Sequence, residues 1–202
     1  MVIKKNLNSF YLIYKFPYHN ELKASLLNLF DEQFTESLEI TDSYYSDNIS
    51  KLDWSRNRDF SRPWVKLFQN YFFESLTEIS RECGFQRIKV SELWFQQYEK
   101  DGTHGWHIHG GNFTGVYYLE LPNEVPKTQI IEPYMQNKII VPDVQEGDFL
   151  LFPSYTIHRA PLVSSNLRKT IISWNCDFKM INSNLLESFE LSKSLIQNAE
   201  VE

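Results

Sequence analysis

Cysteine is scarce: Cys83 and Cys176 are the only two in 202 residues, and neither belongs to a CxxC pair. That excludes a cysteine zinc cluster or a dithiol redox motif and leads us to expect reduced thiols in a cytoplasmic protein. No run approaches the roughly 18 apolar residues of a membrane span. The N-terminal MVIKKNLNSFYLIYKF lacks the sustained apolar stretch and small-residue cleavage site of a signal peptide. Basic residues are in deficit, 20 Lys and Arg against 26 Asp and Glu for a formal net charge of −6. This argues against general affinity for phosphate backbones or anionic membranes, so nucleic acid and membrane are not expected partners. Internal repeats and low-complexity tracts are missing and the 8 prolines are scattered. A single domain over residues 1–202 is the expectation.

What is present is apolar and aromatic material, 42% and 15% of residues, enough for a large core. Residues 2–16 are rich in Ile, Tyr and Phe and suggest a strand or two ended by Pro17. From His19 to Leu38 the apolar residues recur at mixed spacings of three and four, which suggests a helix. Residues 41–60 show no sustained period and read as a long loop. From Pro63 a clear helical period carries Trp64, Val65, Phe68, Phe72 and Leu76, with Gly84 placed to end the helix. Beyond Gly84 come strand-like segments: RIKVSELWFQQYE, FTGVYYLELP, KTQIIEPY, NKIIVPDV, GDFLLFPS and RKTIISWNCDF. The order implies an α+β, mainly β fold, a sandwich or barrel with helices on one face. The expected parts are an N-terminal strand and helical support (1–86), a β core (87–178) and a C-terminal helical tail (179–202).

Three of the 5 histidines crowd into GTHGWHIHGGN, namely His104, His107 and His109, and a fourth, His158, follows GDFLLFPSYTI. Histidines near glycines are often plain loop residues. In a strand, however, positions two apart share a face, so His107 and His109 can converge while Ile108 faces away. A third imidazole from another strand completes a metal site. Ten residues after His158 stands Arg168, opening an apolar strand in which an unpaired guanidinium is costly to bury. A dicarboxylate would be a suitable partner.

This arrangement resembles the Fe(II)- and 2-oxoglutarate-dependent dioxygenases, specifically the prolyl 4-hydroxylase-like branch and its small microbial and phage relatives. The likeness runs from about Glu92 to Phe178. QYEKDGTHGWHIH resembles the approach to the first ligand, with Tyr98 in the place of a family tyrosine. GVYYLELP resembles the next strand, with Tyr118 at a position that hydrogen-bonds co-substrate, and GDFLLFPSYTIH the strand leading to the distal histidine. RKTIISWN resembles the closing strand, which implies Arg168 as partner of the far carboxylate, Thr170 as its assistant and Trp174 at a commonly aromatic position. The resemblance implies a double-stranded β-helix, or jelly roll, with N-terminal supporting helices and a C-terminal helix. The implied metal ligands are His107, His109 and His158, and the implied cofactors Fe(II), 2-oxoglutarate and O2. His109 stands where the family usually has a carboxylate. Three neutral imidazoles bring no charge, so the 2-oxoglutarate dianion alone balances the ion, and other divalent metals also suit the site.

The reaction implied is hydroxylation of a substrate C–H coupled to decarboxylation of 2-oxoglutarate to succinate, first of all on a proline-containing peptide or protein. A free amino acid or other small molecule is the alternative. A non-catalytic jelly-roll binding module and a 2-oxoglutarate-independent cupin-type dioxygenase are the rivals. His104 reads as a rim residue and His19 as solvated. Trp54 and Arg58, with Arg56 and Arg62, suggest a basic, aromatic lid for an extended or acidic substrate, against the plainer reading of a solvated loop.

Overall fold

The computed structural model describes residues 9–33, 35–41, 46–132 and 138–184. After β1 (Leu12–Lys15) and α1 (His19–Glu32) come β2 (Glu36–Thr41), β3 (Ser46–Leu52), a 3-10 turn (Trp54–Arg56) and α2 (Pro63–Glu82). The strands β4 (Phe85–Tyr98), β5 (His104–His107), β6 (Phe113–Glu120), β7 (Gln129–Ile131), β8 (Ile139–Ile140), β9 (Asp148–Pro153), β10 (His158–Ala160) and β11 (Lys169–Ile181) follow. They form a seven-stranded sheet in the order β1-β9-β6-β11-β4-β3-β2, facing a four-stranded sheet β5-β10-β7-β8. Neighbouring strands pair antiparallel throughout the described residues. This is the jelly roll that the sequence led us to expect.

The large sheet is buried on both faces. Its outer face carries Phe95, Tyr117, Phe149, Ile172 and Trp174, which pack with Phe30 of α1 and Trp64, Phe68 and Phe72 of α2. Its inner face carries Tyr98, Val116, Tyr118, Leu150, Phe152 and Ile171, in a second core shared with Ile130 of the small sheet. Pro63 opens α2, and Gly84 takes φ +80° just after it, the left-handed conformation that glycine adopts without a Cβ penalty. Trp174 lies opposite Gly115 in register, and a Cβ at 115 would fall inside the indole ring. The glycine thereby sets how closely β6 and β11 pack around that ring.

Three expectations need correction. The first helix stops at Glu32 and does not reach Leu38, because residues 36–41 pair with β3 as an edge hairpin. Long-range pairing has overridden a helical spacing. Residues 46–52 are not a loop but a strand, tied to β4 through Lys51 with Gln97 and Leu52 with Gln96. The polar run SDNISKL hides this strand because Asp47, one of its inward residues, is charged. Finally, residues 54–62 are bolted down. The Asp53 carboxylate accepts from Arg62 Nη1 at 2.5 Å, Trp64 Nε1 at 2.9 Å and the Phe95 amide at 2.9 Å, and Arg62 Nη2 donates to Leu93 O at 2.5 Å. The expected C-terminal helix lies outside the described residues, as do residues 2–8 of the expected first strand.

Candidate active site

The site forms where the two sheets face each other. His107 ends β5 and lies opposite His158, the first residue of β10. His109 sits just past β5, held by its amide donating to Ser154 O at 3.0 Å. The two imidazoles converge although β5 ends at His107, and Ile108 between them is exposed. One nitrogen from each of His107, His109 and His158 lies within 4.8 Å of the others, and the Nε2 atoms of His107 and His109 are 3.1 Å apart. A carbonyl can only accept, so His107 Nδ1 donates to Gly105 O at 2.7 Å and His158 Nδ1 donates to Thr156 O at 2.9 Å. That fixes their tautomers and leaves Nε2 bare on both, the arrangement a metal-ligating imidazole needs.

Burial keeps the three rings neutral. His107 is pushed down to about 4 and His109 to about 3, in both cases first by loss of water and then by neighbouring histidines, and His158 is lowered well below the ordinary range for the same reasons. Three neutral, inward-aimed nitrogen donors suit a divalent transition metal. His104 packs against His107 with the rings inclined at 60° and their centres 3.9 Å apart, and its Nδ1 is 3.0 Å from Asp47 Oδ1. Asp47 also accepts the Gly105 amide at 2.8 Å, and the His104 contact holds its carboxyl below the usual range.

Across from the histidines the large sheet presents Trp94, Gln96 and Tyr98 of β4, Thr114 and Val116 of β6, and Ile171 and Ser173 of β11. Strand alternation then decides what lies deeper. Lys169 shares the inward face with Ile171, two residues or about 6.6 Å further along the strand. It is 1% exposed, lies opposite Tyr98 in register, and places its ammonium 4.9 Å from the centre of that ring. Its one hydrogen bond among the described residues goes to Pro126 O at 3.2 Å, and no carboxylate among them pairs with it. Burial pushes its pKa down to about 8. Tyr118 also points inward, fully buried, donating to Thr128 Oγ1 at 2.6 Å.

Other expected site residues lie elsewhere. Arg168 Nε and Nη2 grip Glu120 at 2.8 and 2.9 Å, and the Thr170 hydroxyl bonds to the same carboxylate and to Gln97 at 3.3 Å. A bulge opposite Thr170 and Ile171 turns Glu120 to this outer side of the large sheet, away from the histidines. Trp174 is buried against Phe72 and Phe149 on the helix side. Arg58 is bound to Glu92 at 2.9 Å with its side chain 79% exposed, and Arg56 is bound to Asp59 at 2.6 Å. Trp54 does reach the site, edge to face with Trp94 at 4.6 Å. His19 is not solvated: its Nδ1 is 2.7 Å from the Tyr117 hydroxyl. Lys169 was missed because β11 is buried on both faces and RKTIISWN mixes polar and apolar residues on each, so its pattern does not say which of residues 168 and 169 turns inward.

Residues 92–175 match the family described as "Putative 2OG-Fe(II) oxygenase". Over this segment, less than half of its length, the chain is similar to the 2OG-Fe(II) oxygenases. That family uses Fe(II), 2-oxoglutarate and O2, and the matched segment of this chain contains all three histidines together with Lys169. No curated protein matches the chain in sequence. In fold the chain is similar to a 2OG-Fe(II) oxygenase family oxidoreductase from Burkholderia pseudomallei, with TM-score 0.61 and 14% identity over 85% of this chain and 88% of that one. It is also similar to a prolyl hydroxylase from Trichoplax adhaerens solved in complex with a peptide fragment of the hypoxia inducible factor oxygen degradation domain, with TM-score 0.59 and 18% identity over 81% and 82%. A third likeness is to SnoN, the alpha-ketoglutarate dependent epimerase from nogalamycin biosynthesis, with TM-score 0.60 and 11% identity over 82% and 76%. No helix among the described residues is long and apolar enough to cross a membrane.

Proposed function

We propose that the protein hydroxylates a substrate C–H, with His107, His109 and His158 as metal ligands and Lys169 as the anchor of the far carboxylate of 2-oxoglutarate. The observation that carries this reading is the pairing of a neutral histidine triad with a buried ammonium that lacks a counter-charge among the described residues and packs on Tyr98, a residue that lines the pocket of the triad. A buried cation with one neutral hydrogen bond is costly unless a ligand supplies the anion. The bound iron and 2-oxoglutarate would supply the oxidising chemistry, consuming O2 and releasing succinate and CO2 with one oxygen atom delivered to the substrate.

The chain's own residues bind and orient. Gly105 O and Thr156 O hold two of the three imidazoles in the ligating tautomer. Lys169 fixes the dicarboxylate lengthwise through charge, with Tyr98 and Tyr118 walling its inner end. Val116 and Ile171 keep water from the space between. Arg168 and Thr170 are occupied by Glu120 and take no part.

For substrate, the likeness to a prolyl hydroxylase solved with a peptide supports a prolyl residue in a peptide or protein. A small molecule is the second reading, supported by the likeness to the epimerase and by a bounded cleft of about 330 Å³ beside the triad. The test is a screen of proline-containing peptides with Fe(II), 2-oxoglutarate and air, following succinate and peptide mass together. A peptide that gains one oxygen atom per succinate formed supports the reading. Failure to consume 2-oxoglutarate with iron bound, with every peptide and with none, contradicts it.

A further inference from the structure

The cleft that opens from the triad has a chemical bias the sequence did not suggest. Its walls are Leu38 of β2, Ile49 and Leu52 of β3, and the indoles of Trp54 and Trp94, and its floor is His107 and His109. Glu36 of β2 lines it with a carboxylate, one oxygen of which accepts the Ser55 amide at 2.6 Å. Among the described residues no lysine or arginine lines it. The basic side chains of the neighbouring segment are all neutralised: Arg56 by Asp59, Arg58 by Glu92 and Arg62 by Asp53. His104, also in the wall, has its Nδ1 3.0 Å from Asp47 Oδ1. With three neutral imidazoles, a dianionic co-substrate balances a divalent metal, and the remaining positive charge is that of Lys169, buried beside Tyr98 and not among the residues that line the cleft. The carboxylates at the cleft are those of Glu36, in its wall, and Asp47, behind His104.

We infer that this cleft takes a substrate bearing a positively charged group, an ammonium or guanidinium, beside an apolar moiety, and that it discriminates against acidic substrates. The two indoles in the wall attract a cation and cover the apolar part, and a carboxylate at the wall adds a counter-charge. This reverses the acidic substrate suggested by the arginines of residues 56–62. It rests on the hydroxylase reading for the identity of the pocket but makes a separate claim about charge.

Three probes of one shape test it: benzylamine, benzyl alcohol and benzoate, titrated by ligand-observed NMR and tryptophan fluorescence against the full chain with Zn(II) and saturating 2-oxoglutarate. Binding that is lost in Trp54→Ala is assigned to the cleft. The expected order of affinity is benzylamine, then benzyl alcohol, then benzoate. Glu36→Gln weakens the amine by about fivefold and leaves the alcohol unchanged. Trp54-dependent binding of benzoate equal to that of the amine, an amine affinity unmoved by Glu36→Gln, or no Trp54-dependent binding of any probe would each overturn the inference. Amine selectivity in a protein that binds neither iron nor 2-oxoglutarate would leave this inference standing while removing the hydroxylase reading. Iron and 2-oxoglutarate binding without amine selectivity would do the reverse.

Discussion

Lys169 and Tyr98 face each other across β11 and β4, the ammonium 4.9 Å from the ring centre and both side chains sealed from solvent. The adjacent pair, Thr170 with Gln97, points to the opposite face and belongs to the Glu120 cluster. One residue of register therefore separates a cation with no carboxylate partner among the described residues from one already spent on Glu120.

Substituting the two cations separately follows from this. Lys169→Met is expected to weaken 2-oxoglutarate binding by about a hundredfold or more, since a buried charge-assisted pair is lost. Arg168→Ala is expected to change it by less than about threefold, as a partly exposed surface pair is worth little. Equilibrium dialysis with labelled 2-oxoglutarate in the presence of Fe(II) measures both, and the reverse ranking contradicts the assignment.

Binding of the dicarboxylate also carries a pH signature. With Lys169 lowered from 10.5 to about 8 in the free protein, 2-oxoglutarate affinity is expected to be flat below about pH 8. Above that it falls by about tenfold per unit until the pKa of the complex is passed. The free protein behaves oppositely. Between about pH 8 and 10.5 the unfolded chain binds the proton that the folded chain has released, so this group adds stability as pH rises. Urea unfolding at the two ends of that window shows the gain, which Lys169→Met removes.

Gly115→Ala is a packing prediction. The added Cβ meets the Trp174 ring between two paired strands, and neither strand can shift without disturbing the helix-side core. A loss of about 3 kcal/mol is expected, visible as a lowered Tm, and an unchanged Tm would show that the ring has room.

Asp53→Ala leaves the fully buried Arg62 guanidinium without its counter-ion and removes acceptors from Trp64 and Phe95. The expected cost is about 3–5 kcal/mol, read from denaturant midpoints. The double variant Asp53→Ala with Arg62→Met is expected to recover part of it.

The histidine triad was legible because its information is local: two imidazoles two positions apart, and a third after a strand ending in a polar turn. The helices and late strands were legible from periodicity, and α2 from Pro63 and Gly84. What was not legible depends on pairing across long distances. The strand at 46–52 exists because β4 accepts it, and the arginines at 56–62 lose their apparent function because Asp53, Asp59 and Glu92 reach them. Lys169 was hidden behind Arg168 because β11 is buried on both faces, so its sequence carries no alternation to read.

The most direct test of the account is anaerobic addition of Fe(II) and 2-oxoglutarate to the apo-protein, followed by visible absorption for the charge-transfer band of iron chelated by a 2-oxo acid, in wild type and in His109→Ala. The account predicts the band in wild type and its loss in the variant, because three imidazoles without a carboxylate hold the metal. No band in wild type, or an equal band in His109→Ala, would contradict it.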